Sequence, residues 1–237
     1  MVTRRRGRPA QNILTSETIV RAARDLLETD GENFTMTMLA KRLGVAVSSL
    51  YNHVASRDEV FAKISDDVVR GIDVRPLNRL AKRMAKDDPG TVSPAEAAAA
   101  WRAAAEKWAR SYYRAFAAQP SVVATLALTP VAEAPQTLMM YETVAHAFLA
   151  AGWPESEVLL IIETLESFLL GTALDAAAPA DIFHPGDLAA DYPIMSRLHD
   201  ARSHLNGAQA AEEALDVGLS SLLNGLEQRL REALTGA

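Results

Sequence analysis

A run of polar side chains between Ser48 and His53 offers the most distinctive chemistry in the sequence. Adjacent helical residues point in different directions, so a core helix has no use for Tyr51, Asn52 and His53 side by side, whereas a helix facing an external partner does. An asparagine can bond to adenine in bidentate fashion, and serine hydroxyls can reach base edges or phosphates. A tyrosine hydroxyl and an imidazole suit phosphate oxygens, which position a protein without reading sequence. Taken singly, the same residues are compatible with ordinary packing in a small helical domain.

The elements that would hold these side chains form a helix-turn-helix pattern. The spacing predicts a short helix that begins at Thr35 or Thr37, a turn at Gly44, and a second short helix over Val47–Val54. Gly44 permits the tight turn. Val47 could pack on a thymine methyl, and the backbone N–H groups at the start of the first helix favour an anion. The apolar residues that would lock the two helices together are Met38, Leu39, Leu43, Val45, Leu50 and Val54.

The charge of the chain is unevenly distributed. The formal net charge is −6, yet residues 1–57 contain nine Lys/Arg and five Asp/Glu, and the remaining residues contain fifteen and twenty-five. The first twelve residues contain Arg4, Arg5, Arg6 and Arg8, and their segment "RRRGRP" resembles the core of a minor-groove AT-hook. A basic head on an acidic body predicts that the head meets a polyanion. A solvated tail would explain the arginines equally well.

Residues 16–64 resemble the DNA-binding domain of the TetR family of bacterial repressors, through "LAKRLGV", "SLYNHV" and "SRDEVF" at this spacing. The resemblance implies a three-helix DNA-binding head, joined by a fourth helix to an all-helical body that binds ligand and dimerises. The family usually has an aromatic residue before the matching histidine, and we expect its replacement by Asn52 to shift base preference. The resemblance assigns DNA contacts to Thr37, Val47, Ser48, Ser49, Tyr51, Asn52, His53 and Arg57; our prediction adds Thr35, Arg4, Arg5, Arg6 and Arg8.

Helical periodicity continues to the end of the chain and predicts an all-α fold, a three-helix helix-turn-helix head followed by a helical body. We expect a basic, disordered arm over residues 1–12, the helix-turn-helix domain over 13–62, and the ligand-binding and dimerisation domain over 63–237. Ser93-Pro94-Ala95-Glu96 is a capping box with proline at the first helical position. The predicted helices after the head run from Ser56 to a point before Pro76, from Ser93 to Gln119, and over Pro120–Leu128, Pro135–Ala151, Glu155–Ala176, Pro193–Arg202 and Ala208–Leu234.

A ligand pocket is predicted inside the body, although most aromatic and methionine residues at helical spacing are simply core. Glu163 and Glu166 lie three apart in an otherwise apolar helix, where an unpaired carboxylate is costly. They therefore face another subunit, pair with a base or contact ligand, and His146 raises the same question. The full set of candidate ligand contacts is Trp101, Trp108, Tyr112, Phe116, Met140, Tyr141, Val144, His146, Leu159, Ile162, Glu163, Glu166 and Phe168.

The segments "ESFLLGTALD" and "GLSSLLNGLEQRL" give the body a resemblance to the tetracycline-repressor subgroup of the family. That subgroup holds a drug-bound magnesium ion partly through a histidine, but "VVATLALTPVAEAP" contains none. Asp175 matches an acidic position near that metal, yet one carboxylate does not make a site. We therefore expect a small-molecule effector that is largely apolar, with no metal and no cofactor.

The last helix predicts a dimer contact. Its leucines fall on one stripe, and two of its glycines lie seven apart, where they would let a partner helix approach closely. A DNA-binding head of this kind acts in pairs on two-fold symmetric sites, which favours a dimer. Intramolecular core is the alternative explanation of the stripe. The predicted interface residues are Leu215, Gly218, Leu219, Leu222, Gly225, Leu226 and Leu230.

The leading functional hypothesis is a ligand-responsive transcriptional repressor, a homodimer that binds a palindromic double-stranded DNA operator and is released from it by the effector. The alternative is a constitutive DNA-binding dimer without an effector. An enzyme is not favoured, because the chain has no cysteine, no Ser-His-Asp or metal-ligand spacing and no phosphate-binding glycine loop. No apolar run reaches membrane-spanning length and no signal peptide is indicated, so we expect no membrane contact and a cytoplasmic protein. The effector, the operator, the regulated genes and the choice between repression and activation stay open.

Overall fold

A computed structural model describes residues 14–86, 91–126, 129–179 and 181–236. The chain divides into two compact units, residues 1–64, called the head, and residues 65–237, called the body. The described residues form α-helices and short 3-10 turns without a β-strand, so the predicted all-α fold is confirmed. Within these ranges no helix is long and apolar enough to cross a membrane. The α-helices are α1 Ser16–Asp30, α2 Met36–Leu43, α3 Val47–Tyr51, α4 Arg57–Val69, α5 Arg75–Met84, α6 Pro94–Ala117, α7 Pro120–Leu126, α8 Pro135–Ala150, α9 Glu155–Asp175, α10 Pro193–Arg202 and α11 Gly207–Thr235.

The head is built on a small apolar core between its helices. Ile19 of α1, Leu39 of α2 and Leu50 of α3 are completely buried. Gly44 ends α2 in the left-handed conformation, with φ 68° and ψ 30°, which a residue with a Cβ adopts at a cost. Helix α3 ends at Tyr51, three residues earlier than its predicted end at Val54, and Val54 is buried beyond the helix.

The helix predicted from Ser56 to a point before Pro76 is α4, which does end before the proline. Helix α4 ends at Val69, and a new helix, α5, begins at Arg75. The proline lies in the first turn of α5, where its missing N–H and fixed φ favour a helix start instead of an end. Between the helices, the Asp73 backbone N–H donates to Ser111 Oγ of α6 at 2.9 Å.

The body packs its long helices around buried aromatic rings. Helix α6 contacts α5, α9 and α11, while α8 contacts α5 and α9. The capping box at the start of α6 forms as predicted, with the Ser93 backbone N–H donating to Glu96 Oε2 at 3.0 Å and the Glu96 N–H donating to Ser93 Oγ at 3.3 Å. The largest fully buried side chains of the body include Trp101, Trp108, Phe148, Leu165 and Leu169.

The predicted dimer stripe of α11 is mostly interior. Leu215, Leu219 and Leu230 are 3%, 1% and 0% exposed, because α11 packs these leucines within the chain, where α6 and α9 cover it. The prediction that these three leucines meet a partner is therefore wrong. Leu222 and Leu226 are partly exposed.

The two glycines predicted to lie at the interface, Gly218 and Gly225, also differ from each other. A Cβ on Gly218 would collide with the Phe168 ring, so the space at this glycine is filled by a side chain of the same chain and is not available to a partner helix. A Cβ on Gly225 would meet nothing within 4 Å, and Gly225 is exposed. Gly225 therefore stays a candidate for contact with a partner.

A different apolar surface lies open on the body. Leu160 and Leu174 of α9 and Val217 of α11 are 60%, 44% and 69% exposed. Large exposed apolar patches mark interaction surfaces. Further exposed apolar residues lie between α9 and α11 along the chain: Ile182, Phe183, Leu188, Tyr192, Ile194, Met195 and Leu198.

Candidate DNA-binding surface and effector site

Helix α3 presents the predicted polar face to solvent. Ser48, Ser49, Tyr51, Asn52 and His53 are all exposed. The opposite side of the helix is held in the head by Leu50, which has no exposed surface, so the polar side chains project from a fixed support. Val47, in the first turn of α3, is partly exposed. This is the arrangement that base and phosphate contacts require.

Two threonines lie at the start of α2. Thr35 is its N-cap residue, and its Oγ1 accepts a hydrogen bond from the Met38 backbone N–H at 3.2 Å. Thr37 is exposed in the first turn. The helix N-terminus between them carries the partial positive charge that attracts a phosphate.

Arg57 occupies a position that the sequence did not predict. Its guanidinium carbon lies 5.3 Å from the centre of the Phe34 ring and 4.8 Å from that of the Phe61 ring, and the side chain is partly buried. Such cation–π contacts stabilise packing within the head. This position favours a structural role for Arg57 in place of the predicted DNA contact. The four predicted arm contacts, Arg4, Arg5, Arg6 and Arg8, lie outside the described residues.

Most of the predicted ligand-binding residues are core. Trp101 packs edge to face against Phe148 and Trp153, with ring centres 5.4 and 5.1 Å apart. These contacts account for Trp101 without a ligand. The other buried members of the predicted set are Trp108, Tyr112, Phe116, Met140, Val144 and Ile162.

Three of the predicted ligand contacts lie on the surface of the chain. Leu159 is 71% exposed, and Glu163 and His146 are also exposed. The prediction that Leu159 lines an internal pocket is therefore wrong. Of the roles considered for Glu163 and His146, exposure contradicts an internal ligand contact and agrees with contact to another subunit. Sequence periodicity could not exclude Leu159 and Glu163, because α9 is apolar on most of its circumference.

Glu166, unlike Glu163, is not exposed on the surface of the chain. The Tyr141 hydroxyl of α8 donates to Glu166 Oε2 at 2.9 Å, and Tyr112 of α6 also interacts with the carboxylate. Oε1 is shielded from solvent and has no hydrogen-bond partner among the described residues. Burial raises the pKa of Glu166 from 4.5 to about 7, although the two phenols act in the opposite direction. The same burial, together with the carboxylate, raises the pKa of the Tyr141 hydroxyl well above its ordinary value.

Asp66 is a site residue that the sequence analysis missed. This buried carboxylate of α4 accepts hydrogen bonds from the backbone N–H groups of Gln136 and Thr137, both at 3.0 Å, and from the Thr137 hydroxyl at 3.1 Å. It therefore caps the N-terminus of α8, whose own N-cap residue, Ala134, provides no side-chain hydrogen bond. The partners lie about seventy residues apart in sequence, so no local capping signal could reveal them.

A cavity of about 530 Å³ in the body also escaped prediction. It lies between the end of α9, the segment that follows, and the first half of α11. Its lining is largely apolar, with the charged residues Asp175, Arg202 and Glu213 among the apolar side chains. Ile182, Phe183 and Val217 line it and are also part of the exposed apolar surface. The sequence indicated only a loop here, because its proline and glycine content hides the contact with α11.

A helix-turn-helix head with an exposed polar recognition helix, followed by an all-α body, defines a DNA-binding transcriptional regulator. Residues 19–64 match the family described as "Bacterial regulatory proteins, tetR family", and residues 93–230 match "Tetracyclin repressor-like, C-terminal domain". The second match alone covers more than half of the chain. The chain belongs to the TetR family of bacterial transcriptional regulators.

Individual relatives are more distant. The chain is 27% identical over 161 residues to an HTH-type transcriptional regulator of Saccharopolyspora erythraea, and the match covers 68% of this chain and 60% of that relative's length. Apo ActR from Streptomyces coelicolor has a similar fold, with a TM-score of 0.60, 21% identity, and 92% and 98% of the two chains covered. For the Streptomyces coelicolor ActR in complex with actinorhodin, the TM-score is 0.62 and the identity 22%, with 90% of this chain and 95% of that chain covered. For BioQ with its double-stranded DNA operator, the TM-score is 0.53 and the identity 20%, with 90% of this chain and 98% of that chain covered.

The raised pKa of Glu166 predicts an unusual pH dependence of stability. Between pH 4.5 and about 7 the folded chain keeps a proton that the unfolded chain has lost, so the contribution of Glu166 to stability falls as pH rises. Glu166→Gln removes this titration and should gain stability relative to the wild type from pH 5 to pH 8, by up to about 3 kcal/mol. Urea unfolding at both pH values measures the difference. Glu163→Gln, on the exposed side of the same helix, is the control, and an equal pH response in both variants would contradict the assignment.

Removal of the Asp66 carboxylate should weaken the body. Asp66→Ala leaves two backbone N–H groups at the start of α8 without their acceptor, which should lower the free energy of unfolding by about 2–4 kcal/mol. Amide hydrogen exchange at Thr137 should accelerate. Asp67→Ala is the matched control, because Asp67 is partly exposed and forms an ion pair with the exposed Arg70. Loss of such a pair should cost less than about 1 kcal/mol. Equal losses in the two variants would show that the cap is not important.

Proposed function

We propose that the chain is a ligand-responsive repressor that binds a two-fold symmetric DNA operator as a homodimer and leaves it when a small molecule binds the body. The exposed polar face of α3, anchored by Leu50, is the observation that carries the DNA-binding part. By analogy, the solved structure of BioQ with its operator supports the proposed binding of DNA, and that of ActR with actinorhodin supports the proposed binding of a small molecule.

The proposed roles on DNA follow the chemistry of the side chains. Asn52 and Ser48 read base edges in the major groove, whereas Tyr51 and His53 contact phosphates. The N-terminus of α2, with Thr35 and Thr37, holds a further phosphate. The arginines of the arm add contacts that do not depend on sequence.

The proposed dimer surface consists of the exposed faces of α9 and α11. On α9, Leu160, Ser167, Gly171 and Leu174 are exposed at helical spacing. On α11, the exposed residues at matching spacing are Val217, Ser221, Gly225 and Gln228. Small residues within an apolar stripe let two helices approach closely, and a two-fold axis would repeat each contact. Two heads are then available for successive major grooves, about 34 Å apart.

The proposed effector response uses helix α8. Tyr141 of α8 is bonded to Glu166, and the first turn of α8 is bonded to Asp66 of α4. Ser65 Oγ and Thr137 Oγ1, 3.2 Å apart, add a second connection between α4 and α8. A ligand that displaces Tyr141 would therefore also bias α4, which is a continuous helix from Arg57 to Val69 and leads into the head.

An operator can be selected from random double-stranded oligonucleotides. With it, Asn52→Ala should relax base preference at one position of each half-site, at a cost of about 1–3 kcal/mol for the preferred base. Tyr51→Phe should weaken binding to all sequences to a similar degree, because a phosphate contact is lost. Asn78→Ala, an exposed asparagine of α5, is the control and should bind like the wild type. A change of base preference in Tyr51→Phe would contradict these roles, and failure to select any DNA would contradict the proposed function.

The dimer surface can be tested at Gly171. A Cβ at this position meets nothing within 4 Å, so Gly171→Arg should leave the fold intact. At a close helix contact the arginine would separate the subunits, and we expect a monomer with operator affinity reduced at least about a hundredfold, since both half-sites are needed. Ala99→Arg, at an exposed position of α6, is the matched control. Sedimentation at micromolar concentration gives the answer, and a Gly171→Arg dimer or a wild-type monomer would show that the surface is misplaced.

A further inference from the structure

The carboxylate of Glu166 is only half satisfied by its surroundings. Tyr141 of α8 and Tyr112 of α6 are the titratable groups that interact with it, and both offer neutral phenol hydroxyls. Among the described residues no Lys, Arg or His forms an ion pair with it, and Oε1 has no hydrogen-bond partner. A shielded carboxylate without a counter-ion is costly, and removal from water is not repaid by neutral donors alone.

One of the two tyrosines that interact with this carboxylate belongs to a group of packed aromatic rings. Tyr112 stacks on Phe116, with ring centres 4.7 Å apart and an angle of 25° between the rings. Trp108 meets Tyr112 edge to face at 5.7 Å. The faces of such rings attract cations, and their carbon surfaces bind apolar groups.

A carboxylate with an unoccupied acceptor, next to a group of aromatic rings, has the chemistry that binds an organic cation. We propose that Glu166, with Tyr112 and Tyr141, receives the protonated amine of a small-molecule ligand whose apolar part packs against the neighbouring aromatic rings. The inference rests on the proposed effector function and narrows it from a largely apolar molecule to an apolar amine. A neutral hydroxyl or amide could donate to Oε1 but would leave the negative charge uncompensated.

A matched pair of probes separates charge from shape. 1-Naphthylmethylamine and 1-naphthalenemethanol have the same ring and differ in an ammonium or a hydroxyl group. At pH 8, calorimetry with the full-length protein should give the amine at least about tenfold higher affinity than the alcohol, because a buried ion pair forms only with the amine. Glu166→Gln should abolish this preference, and Glu163→Gln, on the exposed side of α9, should keep it.

The pH dependence gives a second readout. The amine stays protonated at pH 6 and pH 8, whereas Glu166 is mostly protonated at pH 6, since its pKa is about 7. Amine affinity should therefore fall about tenfold between pH 8 and pH 6 in the wild type and stay constant in Glu166→Gln. Far-ultraviolet circular dichroism of the variant establishes that its helices are intact.

Three results would overturn the inference: equal affinity for the two probes, an unchanged preference in Glu166→Gln, or no binding of the amine at millimolar concentration. The proposed function is measured separately, by operator binding. Wild-type protein that binds its operator and prefers the neutral alcohol would refute the amine site and leave the regulator intact. Protein that binds the amine but no DNA would refute the regulator and leave the amine site.

Discussion

The hydrogen bonds of Asp66 hold the start of α8 against α4, and the contact between Tyr141 and Glu166 depends on the position of α8. The first turn of any helix has backbone N–H groups without partners inside the helix. In α8 two of these groups, on Gln136 and Thr137, donate hydrogen bonds to the Asp66 carboxylate of α4. Helix α8 is thereby held against α4 at one end, while it contacts α5 and α9 along its length. Its position in turn determines where Tyr141 meets Glu166.

The two carboxylates on this path differ in a way that separates structure from function. Asp66 accepts three hydrogen bonds and needs no further partner. Among the residues that the structure describes, one shielded oxygen of Glu166 has no hydrogen-bond partner, and burial holds the pKa of this residue near 7. A group that is left under-satisfied in a packed interior reduces stability, and such groups concentrate at functional sites. The contrast assigns Asp66 to the architecture and makes Glu166 the residue at which we propose ligand binding, and helix α8 contacts both carboxylates.

Local signals allowed the sequence to predict much of the fold. The capping box at Ser93 and the left-handed glycine at Gly44 each depend on residues within one turn, so a linear reading finds them. Contacts between distant segments were not predictable in this way. Asp66 and the backbone groups that it caps are about seventy residues apart in the sequence. The position of Arg57 depends on two aromatic rings that meet only in the folded head. Pro76 follows the end of α4 as predicted, but the sequence alone did not show that it also begins α5, because proline both ends and begins helices.

The outcome for α11 shows why an apolar stripe does not identify an interface. A helix that packs in its own core and a helix that packs on a partner both place leucines at intervals of three and four. In α11 the large residues Leu215 and Leu219 face inward, and the side left for a partner carries Val217, Ser221 and Gly225. Small side chains bury little surface by themselves, but they allow backbones to approach and so bring the larger flanking groups into contact. In the proposed dimer, the signal for a helix contact between subunits is therefore a second stripe of small residues, rotated away from the leucines.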